Sequence, residues 1–505
     1  MVGPHFGGAP IPSAHVMLSP SDDDRPPGRR GPRTLVDRVW DAHLVGRDAD
    51  GRDLLVVDRS LLHDRQTPVL EGLSRAGRAV DRPERVVAVV DQRVPTTIAD
   101  AAIDAALGPV ADEEPTSELL TALEAVADVE AATSAAEIPV FGPGDPRRGV
   151  LHVVVPEQGM THPGMLVVGA DAHTSTHGAF GALALAITDH ELGEVLATSR
   201  VARHRPPNLR LALGAALGPY ASAKDLALWA LSRLGPRASA GHIVELVGPA
   251  VGALSMPGRM TLCNLAIEAG AVTAVIAPDA TTFADLEGRP FAPSGAEWSA
   301  AVATWRTLRS EPGSSPDVDI SLIGGQIEPH VTWGTAPWQA APISARVPAP
   351  STDPSRRSLD EAALTAQGLR PGDALEGLAV DRVFIGSCAN ARIDDLRAAA
   401  EIARGGRAQV PVIVVPGSGP VKRAAEAEGL HHVFRAAGFE WREPGCSLCV
   451  GANGDHADRG ERVASTANRS VLGIGGRGVR THLMSPAMAA AAGITGRLTD
   501  VRRGR

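Results

Sequence analysis

The chain has little cysteine and few aromatic side chains: four Cys, one Tyr, eight Phe and seven Trp in 505 residues. Four cysteines without an apolar N-terminal leader exclude a disulfide framework and point to a reducing, cytoplasmic setting. No run of about 18 apolar residues is present, so no membrane-spanning helix is expected. Positive charge is also in deficit. The formal net charge of −9 argues against a general nucleic-acid binder, while leaving room for a locally basic pocket around a small anion. What is present is an ordinary soluble composition, 44% hydrophobic and 21% charged, on a chain long enough for roughly three cores.

Three of the four cysteines fall in two short stretches, Gly386–Asn390 and Pro444–Cys449. Cys388 follows Asp381–Ile385, an apolar run that reads as a buried strand entering a glycine turn. A thiolate there has backbone N–H groups nearby, which suits a ligand to an inorganic centre. Cys446 and Cys449 form a C-x-x-C pair whose sulfurs can grip one metal or cluster. By spacing alone this pair is a redox couple, half of a zinc site, or part of an iron–sulfur site. Three thiolates without a fourth would leave one iron open to substrate.

Read in order, residues 1–33 are a proline-rich extension with no capacity to bury a core, expected to be disordered. Thr34 caps a first helix. Asp53–Asp58 and Arg85–Asp91 read as buried strands, and the Ala/Glu-rich Asp100–Ile138 as helix with a break at Pro115. Gly149–Gly159 reads as a strand and turn, and Met165–Gly178 as a strand ending in a polar turn. The Ala-rich run from there to Arg200 reads as one helix. The predicted division is 34–206, 207–346 and 358–505 as three α/β domains, with a proline-rich linker at 347–357.

The text around the cysteines is more specific than their spacing. Val383–Arg397, Val414–Gly419 and Gly438–Cys449 resemble the aconitase superfamily, and within it most closely the large subunit of 3-isopropylmalate dehydratase; the resemblance runs from about Thr34 to the C-terminus. It implies three α/β domains around a 4Fe–4S cluster held by Cys388, Cys446 and Cys449. It implies catalytic roles for Asp91, His152, Asp171, His173 and Glu268, and substrate binding by Asn264, Asn390, Asn468 and Arg469. Cys263 matches no ligand and reads as a buried structural thiol. The mobile fourth domain of single-chain aconitases is not expected here. A separate small subunit is expected to carry it and to supply the serine base.

This chain departs from the family pattern where substrate should be touched. Gln92 stands where the family has a histidine after the aspartate, Ala172 where it has serine, and Ile474 where it has a second arginine. Thr67-Pro68-Val69 replaces Ser-Pro-Gln in an early loop. Losing the arginine forfeits a charge-assisted contact worth about 1.5–3 kcal/mol unless Arg477 or Arg480 replaces it. Glutamine cannot shuttle a proton, so an acid role at that place must move to another group or a water. The leading expectation is a hydro-lyase isomerising 3-isopropylmalate or a close 2-substituted malate. The alternatives are a specialised paralogue acting on an altered malate analogue, and a cluster-holding sensor or assembly subunit without catalysis.

Overall fold

The computed structural model describes residues 31–98, 117–451, 453–470 and 478–503. Most of the N-terminal extension, the first part of the Asp100–Ile138 segment, and Ile474 and Arg477 lie outside the described residues. Two five-stranded parallel sheets carry the architecture. The first runs in the order Val140–Phe141, Val86–Val89, Arg59–His63, Leu166–Gly169, Leu183–Ala186. Its three central strands are buried at every position, which explains why they read as continuous apolar runs: both faces of a parallel sheet are covered. The second has the order Glu440–Trp441, Val412–Val414, Arg382–Ile385, Arg462–Ser465, Arg480–Leu483.

A four-stranded parallel sheet, Thr273–Val275, Ile243–Val247, Asn208–Leu217 and Val318–Ile327, adjoins the first. One apolar core passes from Leu62 and Leu166 through Phe180 to Leu209 and Leu246. A second core packs helices Ile393–Ala403 and Pro486–Thr495 on the Cys388-bearing sheet. Among the described residues no helix is long and apolar enough to cross a membrane.

Several sequence-based expectations need correction. Gly149–Gly159 is not a strand: Leu151–Glu157 is helical. Its Val153-Val154-Val155 run favours a strand locally, but the Asp91 carboxylate accepts from Leu151 N at 2.9 Å and caps the helix from outside, a service no local side chain gives. The run to Arg200 is not one helix. A 3-10 turn Ala172–Phe180 ends at Gly181 (φ +79°), strand Leu183–Ala186 then pairs with Leu166–Gly169, and only Asp189–Thr198 is α-helical. In Asp53–Asp58 the strand Asp53–Val56 belongs to a small antiparallel sheet with alternating burial. The parallel strand is the next one, Arg59–His63. Thr67 opens helix Thr67–Arg75 rather than sitting in a loop, and the linker's end is already helix from Pro354, capped by Asp353.

The 3-10 turn after Asp171 is wedged against the neighbouring sheet. Ile276 N donates to Gly178 O at 3.0 Å, and a Cβ on Gly178 would lie 1.8 Å from Ala274 O. Only glycine permits that approach. Gly178→Ala is expected to cost about 1–3 kcal/mol or more through forced separation of backbone, read as a lower urea midpoint with unchanged slope.

Candidate active site

Strand ends converge on one cavity of about 200 Å³. His63 is the last residue of its strand; Asp91 lies two residues past Val86–Val89 and Asp171 two past Leu166–Gly169. From the other five-stranded sheet, Cys388 follows Arg382–Ile385 and Asn468 follows Arg462–Ser465. All five strands are parallel within their sheets, so their carboxyl ends gather where open α/β sheets bind ligands. The cavity is lined by His63, Arg65, Gln92, Val150, His152, Asp171, His173, Cys388, Cys446, Cys449, Val450, Asn468 and Arg469.

One wall is sulfur. Ser387 (φ +82°) and Ser447 (φ +49°) both adopt the left-handed region beside cysteines, a backbone strain that persists where the surroundings enforce it. Arg392, itself buried, holds the first turn by donating to the carbonyls of Cys388 (2.8 Å) and Ala389 (2.9 Å). Cys446 N donates to Asp91 O at 3.0 Å, tying the C-x-x-C stretch to the first sheet. The amides of Asn264 and Asn468 both donate to Cys388 Sγ, at 3.3 and 3.1 Å. Such donors suit an electron-rich thiolate. Burial pushes the Cys388 thiol up to about 12, and Cys446 and Cys449 upward as well, so the free thiols are neutral and a metal would displace their protons. Three sulfurs on one cavity, those of buried Cys388 and Cys446 and of half-buried Cys449, with N–H donors aimed at one of them, fit an iron–sulfur cluster.

The opposite wall is a chain of paired charges. Asp171 Oδ1 accepts from His173 N at 2.7 Å and faces His152 Nε2 at 3.3 Å. His173 Nε2 meets Glu268 Oε1 at 3.0 Å, and Arg469 Nε donates to the same oxygen at 2.9 Å. Burial alone would raise Asp171, but hydrogen bonds from His152 and His173 outweigh it and hold the carboxyl well below its usual range. Burial likewise opposes the charge on His173, yet its bonds to Asp171 and Glu268 raise it. His152 goes the other way: burial dominates and lowers it. Its Nδ1 lies 3.3 Å from His177 Nε2, and His177 Nδ1 lies 2.7 Å from Thr161 Oγ1.

Of the residues singled out from sequence, His152, Asp171, His173, Asn468, Arg469 and the three cysteines line the cavity. Asn264 and Glu268 stand directly behind them, bonded to Cys388 and to His173. Asp91 is not among the lining residues: its carboxylate stands behind two that are, bonded to His63 Nδ1 at 2.8 Å and 3.7 Å from Cys446 Sγ. Asn390 is turned away: its amide donates to Asp395 at 2.9 Å and Thr261 at 3.4 Å. Arg480 is no replacement for a missing arginine, since its guanidinium packs against Gly368 at the end of helix Pro354–Gln367. Cys263 is wholly buried in the larger apolar core, away from the other sulfurs' cavity. Sequence reasoning missed His63 and Arg65. The signal for His63 was its place at the end of the apolar run Ser60-Leu61-Leu62, obscured because the neighbouring segment was read as the strand. Arg65 is exposed at the rim and has no carboxylate partner among the described residues.

Residues 37–496 match the model of the aconitase family (aconitate hydratase); the chain belongs to that family. Among solved structures it is similar to aconitase X from Thermococcus kodakaraensis in its holo-form, with 12% identity over 83% of this chain and 84% of that chain and a TM-score of 0.43.

Lys224, also missed as a site residue, is a fully buried cation whose Nζ donates to Thr466 O (3.0 Å) and Ala467 O (2.5 Å), immediately before Asn468 and Arg469. Burial pulls it down to about 8. Lys224→Met is expected to leave both carbonyls unpaired at about 1–3 kcal/mol each. The loss should appear in urea unfolding, together with faster amide exchange at Asn468.

Proposed function

We propose that this chain is the cluster-bearing subunit of an iron–sulfur hydro-lyase that dehydrates and rehydrates 3-isopropylmalate or a closely related 2-substituted malate. The observation that carries the reading is one cavity with three cysteine sulfurs on one wall, the Asp171–His173–Glu268 chain on the other, and two arginines at its edge. Cys388, Cys446 and Cys449 would hold a 4Fe–4S cluster, which supplies Lewis acidity toward the substrate's oxygens when bound. Family membership supports a hydro-lyase in general; the substrate is inferred from the sequence's resemblance and the cavity's charges.

Arg469 uses Nε for Glu268, leaving its two terminal nitrogens for a substrate carboxylate in bidentate fashion. Arg65 offers a second cation at the rim, which suits a dicarboxylic hydroxy acid. Glu268 and Asp171 favour the charged form of the His173 ring and fix its orientation. Val150 and Val450 give the cavity apolar surface for an alkyl substituent. The carbon-bound proton is left to a base from a small companion subunit, because the described residues lining the cavity offer no unpaired carboxylate. A malate analogue with one altered acid group is the second reading, favoured by Gln92 lining the cavity where a histidine is the family's residue.

Anaerobic reconstitution with iron and sulfide is expected to give a brown protein. Serine at Cys388, Cys446 or Cys449 should bleach it, and Cys263→Ser should not. A wild type that stays colourless ends the cluster assignment. Mixed with its companion small subunit and a panel of substituted malates, the chain should form an unsaturated diacid absorbing in the ultraviolet. Arg469→Lys, which loses the planar fork, is expected to lower kcat/KM about ten- to hundredfold. Full activity from the isolated chain would remove the need for a partner base.

A further inference from the structure

We propose that His63 is the proton donor of this cavity, delivering the Nε2 proton to the departing oxygen of the substrate, with Asp91 as the positioning residue behind it. The proposal rests on the hydro-lyase reading above.

Four observations converge on the ring. His63 ends a central strand and lines the cavity although its side chain is only 4% exposed. Its Nδ1 is held by Asp91 Oδ1 at 2.8 Å, while Oδ2 of Asp91 accepts from Leu151 N at 2.9 Å and lies 3.7 Å from Cys446 Sγ. The imidazole is thereby locked with Nδ1–H toward the carboxylate and Nε2 outward. Nε2 is buried and has no hydrogen-bond partner among the described residues. Finally, one ligand-capable atom each of His63, His152 and Asp171 lie within 4.8 Å of one another, so a substrate oxygen between them is in reach of all three residues.

The charges around the ring set its protonation. Asp91 faces it from beyond Val86–Val89, Asp171 from beyond Leu166–Gly169, and Asp64 adjoins it in sequence. His152 packs edge to face, ring centres 5.4 Å apart, from helix Leu151–Glu157. Burial opposes a charge here, but Asp91, and more weakly Asp171 and Asp64, outweigh it and raise His63 to about 9. These carboxylates favour the doubly protonated ring, whose Nε2–H faces the cavity with no acceptor among the described residues. Gln92, on the same side, carries an amide that cannot transfer a proton.

The step balances without further reagents beyond the base already named. The C–O bond breaks with its electron pair on oxygen, which takes the Nε2 proton and leaves as water. The carbon-bound proton goes to the companion subunit's base, and the C–H pair becomes the second bond of the alkene. Rehydration returns a proton from water to Nε2, so the ring is charged again after each cycle.

The test uses the full-length chain labelled with [15N]histidine for magnetic resonance without iron, and the reconstituted two-subunit enzyme for kinetics on 3-isopropylmalate. His63 is expected to keep a proton on both nitrogens at pH 8 and to lose one near pH 9. In Asp91→Asn the transition should fall toward the ordinary value of about 6.5. For the holoenzyme, kcat should fall as pH rises through about 9, because the acid is then spent. His63→Asn, which can still donate to Asp91, should lose about 10²–10⁴-fold in kcat with KM little changed. A bare Nε2 at pH 8 in the wild-type chain overturns the role, as does a His63→Asn enzyme with wild-type kcat and the same basic limb. Zn²⁺ binding at Nε2 in preference to a proton at pH 8 overturns it too. If no malate of the panel is turned over by wild type, the hydro-lyase reading has failed instead, and the wild-type resonance still decides whether His63 is the donor facing the cavity.

Discussion

Burying charge is costly unless each charge is paired and hydrogen-bonded, and this requirement arranges the centre of the molecule. Asp171, His173, Glu268 and Arg469 form an unbroken series across residues up to 298 apart in the chain, with Oε1 of Glu268 shared between His173 and Arg469. Removing Glu268 would take a carboxylate partner from both His173 and Arg469. Asp91 carries the same logic further. One carboxylate satisfies the His63 ring and the first N–H of helix Leu151–Glu157, and its backbone carbonyl receives Cys446 N. A single residue thus sets the position of two of the cavity's three histidines, His63 and His152, and anchors the C-x-x-C stretch.

The same constraint explains the buried cations that touch no substrate position. Lys224 and Arg392 end on backbone carbonyls next to Asn468 and Cys388. These carbonyls belong to turns just past strand ends, where the sheet no longer supplies partners. A cation with several donors satisfies two carbonyls at once and fixes the turn that presents the functional side chain. Serine rather than glycine at the left-handed positions 387 and 447 follows a similar rule. The hydroxyl of Ser387 lies 3.4 Å from Cys449 Sγ, and that of Ser447 donates to Asp455 at 2.8 Å, contacts that offset the backbone strain.

Asp91 orients an imidazole that comes from a neighbouring strand, while the residue beside it in the chain is Gln92. The parallel sheet brings the two strand ends together: His63 and Val89 are register partners, so residues just past either strand reach the same space.

Much of the site was legible in the chain. The motif text around Cys388, Cys446 and Cys449, and the apolar runs that precede Asp171 and Cys388, determined by themselves the α/β class and two of the strand ends that line the cavity. Periodicity suffices there, because a strand buried on both faces has no other pattern available. What the chain alone could not decide were the places where a distant partner overrides local preference. Leu151–Glu157 is helical because Asp91, sixty residues away, caps it. Asn390 leaves the cavity because Asp395 and Thr261 claim its amide, and His63 enters because Asp91 holds its far nitrogen. Apart from the local Asn390–Asp395 bond, these are hydrogen bonds between segments remote in sequence, and only the tertiary structure brings those segments together.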